Sequence, residues 1–327
     1  MKLAVNNQQG PDTFFKELSK QLSATIEDGL FKVPRQYGDG YASFQQLEKG
    51  LFFSIYNLKL HQDFEHDREA ADSIKYYTLS CSYSDQNIQK WSDNKWININ
   101  KHSPNGLFLI SPRIETKFKV HANTPIFSLV ITFSKDWLAS LSCDKENPTT
   151  VLKYIQSKKP FCFYESISFE LESILEHIIA ENNKATPSLI LLKGFILQFL
   201  GNFIERIESR DQNIVFKNIN QQDITLIFKA KQQIQDNYRD IPKIESLATE
   251  IGMSVSKLQK LFKHIVGMSI YKYALKVRLK EAKKLLDTGK YSISEVGYKI
   301  GYSNLSHFTD KFRKHFGMNP KAYLNKK

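Results

Sequence analysis

Two runs of side chains in the last third of the sequence combine hydrogen-bond donors and acceptors at helical spacing. In SVSKLQKLFKHI (254–265), Ser256, Lys257, Gln259, Lys260 and Lys263 fall opposite the apolar Leu258, Leu261, Phe262 and Ile265. In NLSHFTDKFRKHF (304–316), Ser306, His307, Thr309, Asp310, Lys311, Arg313 and Lys314 fall opposite Phe308, Phe312 and Phe316. Lysine and arginine bind phosphates, while glutamine, serine, threonine and histidine suit base edges in a major groove. A lysine-rich helix face is usually only a solvated one. Here the pattern occurs twice, in register.

The elements that position these faces repeat as well. Gly252 and Ser254 match Gly301 and Ser303 at a separation of 49 residues. After one inserted residue, Leu258, Phe262, Lys263, Gly267, Met268 and Tyr273 match Phe308, Phe312, Arg313, Gly317, Met318 and Tyr323 at a separation of 50. Each run follows a short helical segment, IESLATEIG (244–252) or ISEVGYKIG (293–301), in which Ala248 or Gly297 lies four before the closing glycine, where a second helix must approach. Helix, glycine turn, helix is the grammar of a helix-turn-helix, here spanning 244–266 and 293–316. Between them SIYKYALKVRLKEAKKLLDTG (269–289) reads as a helix started by Ser269 and ended by Gly289. A rod of ~27 Å, at ~1.5 Å per residue, can hold two recognition helices about one DNA turn (~34 Å) apart.

Residues 225–324 resemble the DNA-binding domain of the AraC/XylS family of transcriptional regulators, whose signature closes much as GYSNLSHFTDKFRKHFGMNPKAYL does. Arg278, Ala282, Leu285 and Leu286 in the linking helix fit the same pattern. The resemblance implies a seven-helix domain and promoter-specific control, usually activation through contact with RNA polymerase. By position it places base contacts on Ser256, Lys257, Gln259 and Lys260, and on Leu305, Ser306, His307, Thr309 and Asp310. Phosphate contacts are expected at Ser254, Lys263, Ser303, Lys311, Arg313 and Lys314. Two positions depart from the family. Asp310 stands where many members are basic; it repels phosphate but can accept from cytosine N4 or orient Arg313 or Lys314. Leu324 stands where an arginine is common.

Charge divides the chain the same way. The net charge is +12, yet residues 225–327 hold 21 Lys and Arg against 8 Asp and Glu, and residues 1–224 hold 25 against 26. A basic segment beside a neutral one points to a polyanionic partner for the basic segment alone. Cys81, Cys143 and Cys162 form neither a CxxC pair nor a cluster with histidine, which argues against a disulfide framework or zinc site and fits a reducing compartment. The N-terminal MKLAVNNQQGPDTFF lacks the apolar run of a secretory signal, and Lys193, Gln198, Asn202 and Glu205 interrupt the apolar stretch 189–207, so no membrane span is expected. These features predict a bacterial cytoplasmic protein.

The expected organisation is α+β in two domains: residues 1–208, a linker at 209–224 (SRDQN running on to NINQQD), and 225–327. Strands are predicted at 51–60, 75–83, 106–111, 116–122 and 126–134, set off by turn residues, the pattern of a β-sandwich or small barrel. Helices are predicted at 134–141, 169–179 and 188–208. The last is apolar around much of its circumference: Leu192, Phe195, Ile196, Phe199, Phe203 and Ile207 form one face and Leu189, Leu197, Leu200 and Ile204 spread beyond it. It is either a core helix or, with its neighbours in 165–208, the seam of a homodimer. The order of elements resembles the cupin-like sensing domains of family members, which implies a small-molecule effector. Phe53, Tyr56, Tyr77 and Phe108 are candidates for its pocket, although aromatics at strand spacing are more often plain core. His61 and His66 lack the HxH spacing of a cupin metal site, and His102 and His121 stand alone, so neither a metal nor another cofactor is expected. A regulator whose first domain serves only dimerisation or partner binding is the alternative. An enzyme fused to a DNA-binding domain is the weakest reading, since no reactive-cysteine cluster, Ser/His/Asp motif, phosphate loop or HExxH occurs.

Overall fold

The computed structural model describes residues 1–5, 11–71, 74–92, 95–101, 103, 105–141, 148–157, 159–209, 221–266 and 268–325. Most of the expected linker (210–220), Cys143, His102 and Gly267 lie outside the described residues, as does the side chain of Ile265. The chain divides into two compact units, Met1–Asn218 and Ile219–Lys327.

The first unit carries two sheets. Strands β1 (Lys2–Val5), β5 (Phe64–Arg68), β7 (Ile88–Ser92), β8 (Lys95–Ile99) and β10 (Thr116–Val120) form a five-stranded sheet in the order β1-β5-β10-β7-β8. Strands β2 (Leu30–Lys32), β3 (Gly38–Glu48), β4 (Leu51–Leu60), β6 (Tyr76–Ser82), β9 (Leu107–Ile110), β11 (Pro125–Ser134) and β12 (Cys162–Glu165) form a seven-stranded sheet, β12-β9-β6-β11-β4-β3-β2. Side chains alternate between the faces of a strand. One face of the larger sheet, with Phe53, Ile55, Tyr77, Leu79, Leu129 and Ile131, packs on the helices. Its other face, with Tyr56, Leu58, Phe108, Ile110 and Ile126, turns toward the five-stranded sheet.

Helix α1 (Thr13–Gln21) covers the second of these cores through Phe15 and Leu18; α2 (Lys135–Ser140), α3 (Thr150–Ser157), α4 (Phe169–Asn182) and α5 (Leu189–Glu208) cover the first. Ser134, Ser168 and Ser188 each cap a helix by accepting from a backbone N–H three residues on. Helix α5 buries Leu192, Ile196, Phe199, Leu200, Phe203 and Ile207. Its Arg206 donates Nε and Nη2 to Glu165 Oε2 at 3.1 and 2.9 Å, and Lys193 reaches Glu48 at 2.6 Å. These ion pairs fix the helix to both flanks of the larger sheet. No described helix is long and apolar enough to cross a membrane.

The second unit is helical: α6 (Gln221–Asp236), α7 (Ile244–Ile251), α8 (Val255–Val266), α9 (Ile270–Asp287), α10 (Ile293–Lys299), α11 (Leu305–Phe316) and α12 (Pro320–Leu324). Helix α6 starts inside the polar stretch read from sequence as linker. Gln221, Gln222 and Asp223 are its first turn, where an acidic side chain suits the helix dipole.

Candidate nucleic-acid interface

The first helix-turn-helix is α7–α8. Helix α7 buries Leu247, Ala248 and Ile251 and ends at Gly252, whose φ of 71° is left-handed; Met253 N–H then donates to Ala248 O at 2.9 Å. Ser254 Oγ accepts from Lys257 N–H at 3.3 Å and starts α8. Leu258, Phe262 and Val266 are buried and Leu261 is half-buried. Ser256, Lys257, Gln259, Lys260 and Lys263 are all exposed, as their spacing requires.

In the second unit, α10 opens with a capping box: Ser292 Oγ accepts from Glu295 N–H at 3.2 Å, and Glu295 Oε2 accepts from Ser292 N–H at 2.7 Å. That bond holds the Glu295 carboxyl below its ordinary range. A Cβ on Gly297 would lie 2.5 Å from Leu305 Cδ2 and 3.2 Å from Phe308 Cδ1, so the helices meet where the sequence has no side chain. Phe308 and Phe312 are fully buried; the Phe312 ring contacts Phe316 at 4.5 Å and Tyr323 at 5.9 Å between centroids. Ser306, His307, Asp310, Arg313 and Lys314 are exposed, and Leu305, Thr309 and Lys311 are half-buried.

The single inserted residue has a structural role. The sequence aligns Ser303 with the cap Ser254, but Asn304 is the cap of α11: its Oδ1 accepts from His307 N–H at 3.1 Å. Ser303 precedes the cap and is exposed. Ser254 thus spends its hydroxyl on the helix end, whereas Ser303 keeps its own exposed in the turn.

The two recognition helices are set by α9. Its 18 residues bury Ile270, Tyr273, Ala274, Val277, Leu279, Ala282 and Leu286. Arg278 donates Nε to Tyr238 O at 2.7 Å and Nη2 to Arg239 O at 3.0 Å. Gly301, at φ +88°, packs against the same Arg239 carbonyl so closely that any Cβ would collide with it. One guanidinium therefore locks the α6–α7 turn beside the turn of the second helix-turn-helix. Tyr323 closes the other end by donating to Asp287 Oδ1 at 2.7 Å; burial first, then that carboxylate, push its phenol up to about 12.

Two contacts on the outer faces involve acids. Lys257 Nζ pairs with Asp223 Oδ1 of α6 at 2.8 Å, a partner that sequence reasoning missed because Asp223 lies in the supposed linker. Arg313 Nη2 pairs with Asp310 Oδ1 at 3.3 Å, one of the two orientations expected of Asp310. The exposed Tyr271 and Tyr298 also escaped notice, since nothing in their spacing separates them from core positions.

A family model described as a helix-turn-helix domain matches residues 247–326. An uncharacterized HTH-type transcriptional regulator of Pseudoalteromonas carrageenovora is 30% identical over 119 residues, 36% of this chain and 67% of the relative. The chain belongs to the AraC/XylS family of transcriptional regulators. Further relatives include the Msm operon regulatory protein of Streptococcus mutans, 25% identical over 233 residues (69% of this chain, 79% of the relative). The HTH-type transcriptional activator RhaR of Mannheimia succiniciproducens is 27% identical over 185 residues (50% and 67%). As a member of this family the chain is a DNA-binding transcription regulator and not an enzyme.

The N-terminal unit of this regulator contains a cavity of about 210 Å³ between its two sheets. Of the four aromatic candidates, Tyr56 and Phe108 line it. Phe53 and Tyr77 do not: they point from the opposite face of the larger sheet into the core beneath the helices, because each is one residue out of phase with the cavity-facing Ser54 and Tyr76. His66 lines the cavity as well, and His61 and His121 are exposed on the surface. No group of three or more His, Cys, Asp or Glu with metal-binding geometry occurs among the described residues.

Proposed function

We propose that the chain is a promoter-specific activator of the bacterial cytoplasm that responds to a small-molecule effector held by its N-terminal unit. The observation that carries the DNA-reading half is the pair of exposed polar faces on α8 and α11, both in the basic unit and joined by an 18-residue helix. Ser256, Lys257, Gln259 and Lys260 read bases in one major-groove segment; Leu305, Ser306, His307, Thr309 and Asp310 read the next. Ser254, Lys263, Ser303, Lys311, Arg313 and Lys314 hold the flanking phosphates. Residues 1–208 sense and dimerise, 209–224 connect, and 225–327 bind DNA.

The sensing half is supported by the cavity between the sheets. Dimerisation through 165–208 is supported by Leu189, Ile190 and Leu191 at the start of α5, of which Ile190 is 85% exposed. Contact with RNA polymerase follows the family resemblance, and activation is supported by the RhaR relative, a transcriptional activator.

The test is transcription from a reporter carrying the DNA upstream of the chain's own gene. Wild-type protein should raise transcription, and a small-molecule extract of the host should change the level further. Gln259→Ala with Lys260→Ala should abolish both effects. Full output from dialysed protein, unchanged by extract, would favour an effector-independent regulator; output unchanged by the double substitution would remove the reading altogether.

A further inference from the structure

The cavity in the N-terminal unit has an unusual wall. Strand β5, FEHDR, alternates Phe64, His66 and Arg68 inward with Glu65 and Asp67 on the other face. The outward acids are neutralised: Asp67 by Lys2 at 2.9 Å and Glu65 by Lys119 at 3.4 Å. The inward cation is not. Among the described residues, Arg68 Nη2 donates to backbone carbonyls, Ile114 O at 3.2 Å and Ser111 O at 3.5 Å, and the buried Arg68 Nε has no acceptor. No carboxylate among the described residues pairs with Arg68. A guanidinium has five N–H donors, and a charge out of bulk water without a counter-ion is costly. Burial lowers its pKa to about 10, which leaves it charged at neutral pH.

His66 stands two residues away on the same face. Its Nε2 is also buried without a partner. Its ring stacks on Phe118 at 5.8 Å and leans on Phe14 at 4.4 Å. Burial first, then the neighbouring Arg68 charge, push the imidazole down to about 3, so it is neutral and free to donate one N–H. Lys90, which is fully buried, lies 5.0 Å from the centre of the Phe108 ring that lines the cavity and donates to the Tyr164 hydroxyl at 2.7 Å. Across from these groups the larger sheet carries small hydroxyl side chains. Thr78 faces Thr132 and Ser82 faces Ser128 in register, where a filled core would have large apolar residues. The void exists because of those choices, and its remaining walls are aromatic and aliphatic. An Arg68 guanidinium without a carboxylate partner among the described residues, the unpartnered nitrogens Arg68 Nε and His66 Nε2, and an apolar chamber together describe the complement of an anion with a hydrophobic body.

We infer that this cavity takes a small monocarboxylate, its carboxylate held by Arg68 and His66 and its apolar body lodged among Tyr56, Phe108 and Phe118. The inference rests on the reading that the N-terminal unit binds an effector, and adds the ligand's chemical class and the residues that select it. A cavity of about 150 Å³ holds benzene, so about 210 Å³ admits a body of roughly ten non-hydrogen atoms including the carboxylate.

Calorimetric titration of the full chain with 3-phenylpropionate, octanoate and the uncharged 3-phenylpropionamide tests it. At least one carboxylate should bind one per chain, and 3-phenylpropionamide at least tenfold more weakly than 3-phenylpropionate. Arg68→Met, checked for an unchanged circular dichroism spectrum, should bind the carboxylate at least tenfold more weakly, and Arg68→Lys should recover part of the loss. The comparison of acid with amide on wild-type protein needs no variant to fold. Equal binding of amide and acid, or undiminished binding by folded Arg68→Met, overturns the carboxylate assignment while leaving an effector in the cavity. Saturable binding of neither acid also overturns it; the effector reading then stands or falls separately on the response of the reporter to extract.

Discussion

Lys257, on the exposed face of the first recognition helix, is tied to Asp223 in the first turn of α6 at 2.8 Å. A side chain proposed to meet DNA is thus held by an acid of its own unit. Half of the Lys257 side chain remains exposed (51%), so the pair is worth no more than a surface ion pair, well under ~1 kcal/mol. Asp223→Asn should therefore tighten DNA binding about two- to threefold at low salt, as read by fluorescence anisotropy, and the gain should shrink as salt rises. Unchanged affinity across the salt range would mean that Lys257 does not contact DNA.

Asp310 and Arg313 form the corresponding pair on the second recognition helix, at 3.3 Å with both side chains well exposed. Replacing Asp310 by Ala removes a charge that repels phosphate and, on the present account, a base-reading acceptor. Binding to scrambled duplex should strengthen while the preference for the operator falls by about tenfold, within the ~1–3 kcal/mol of one lost base contact. A preserved preference would take Asp310 out of the reading set.

Gly297 is where the two helices of the second helix-turn-helix pack against each other. Ala there would place its Cβ 2.5 Å from Leu305 Cδ2. Overpacking of this kind costs about 1–3 kcal/mol, so Gly297→Ala should lower the urea midpoint of the second unit and weaken operator binding. Ser292→Ala, which removes one arm of the α10 capping box, should cost about 1 kcal/mol without touching the DNA-facing residues.

Acid should loosen the N-terminal unit through Glu48. Its carboxylate accepts from Lys193 at 2.6 Å and from Trp137 Nε1 at 2.7 Å, and these bonds, Lys193 first, lower its pKa from 4.5. A depressed carboxyl pKa gives stability that is complete above the unfolded value and is lost as pH falls through the folded one. Between pH 6 and pH 3 the wild type should lose more stability than Glu48→Gln, measured by urea unfolding monitored by tryptophan fluorescence. Parallel curves would show that Glu48 plays no part in the acid response.

Much of this architecture is legible in sequence where burial follows a simple period. Strand β4 is sandwiched between the helices and the second sheet, so LFFSIYNLKL is apolar on both faces and its limits coincide with the predicted 51–60. Helix α5 likewise begins and ends as its pattern and Ser188 cap indicate. Strand β5 is the opposite case. It is charged on its outer face and polar on its inner one, because the inner face lines a cavity rather than a packed core, and no hydrophobic alternation remains to find it by. Strands β1, β2, β3, β7, β8 and β12 were also outside the predicted set; the half-exposed GDGYASFQQLE of β3 shows why, since its apolar residues are diluted by Gly, Ser and Gln. The outer faces of α8 and α11 could be assigned because Leu258, Phe262, Phe308 and Phe312 fix the inner ones. The cap of α11 could not, since only geometry distinguishes Asn304 from Ser303.

The central claim is that the exposed faces of α8 and α11 read a specific DNA sequence. The most direct measurement is binding of the full chain, and of the folded Gln259→Ala, Lys260→Ala variant, to its own upstream DNA and to scrambled duplex across a salt series. The wild type should prefer the upstream DNA, the variant should lose this preference, and log affinity should fall by about 0.9 per log unit of salt for each phosphate neutralised. Equal binding of both duplexes by both proteins, with no motif recovered in a genome-wide selection, would contradict it and reduce the basic unit to a non-specific anchor.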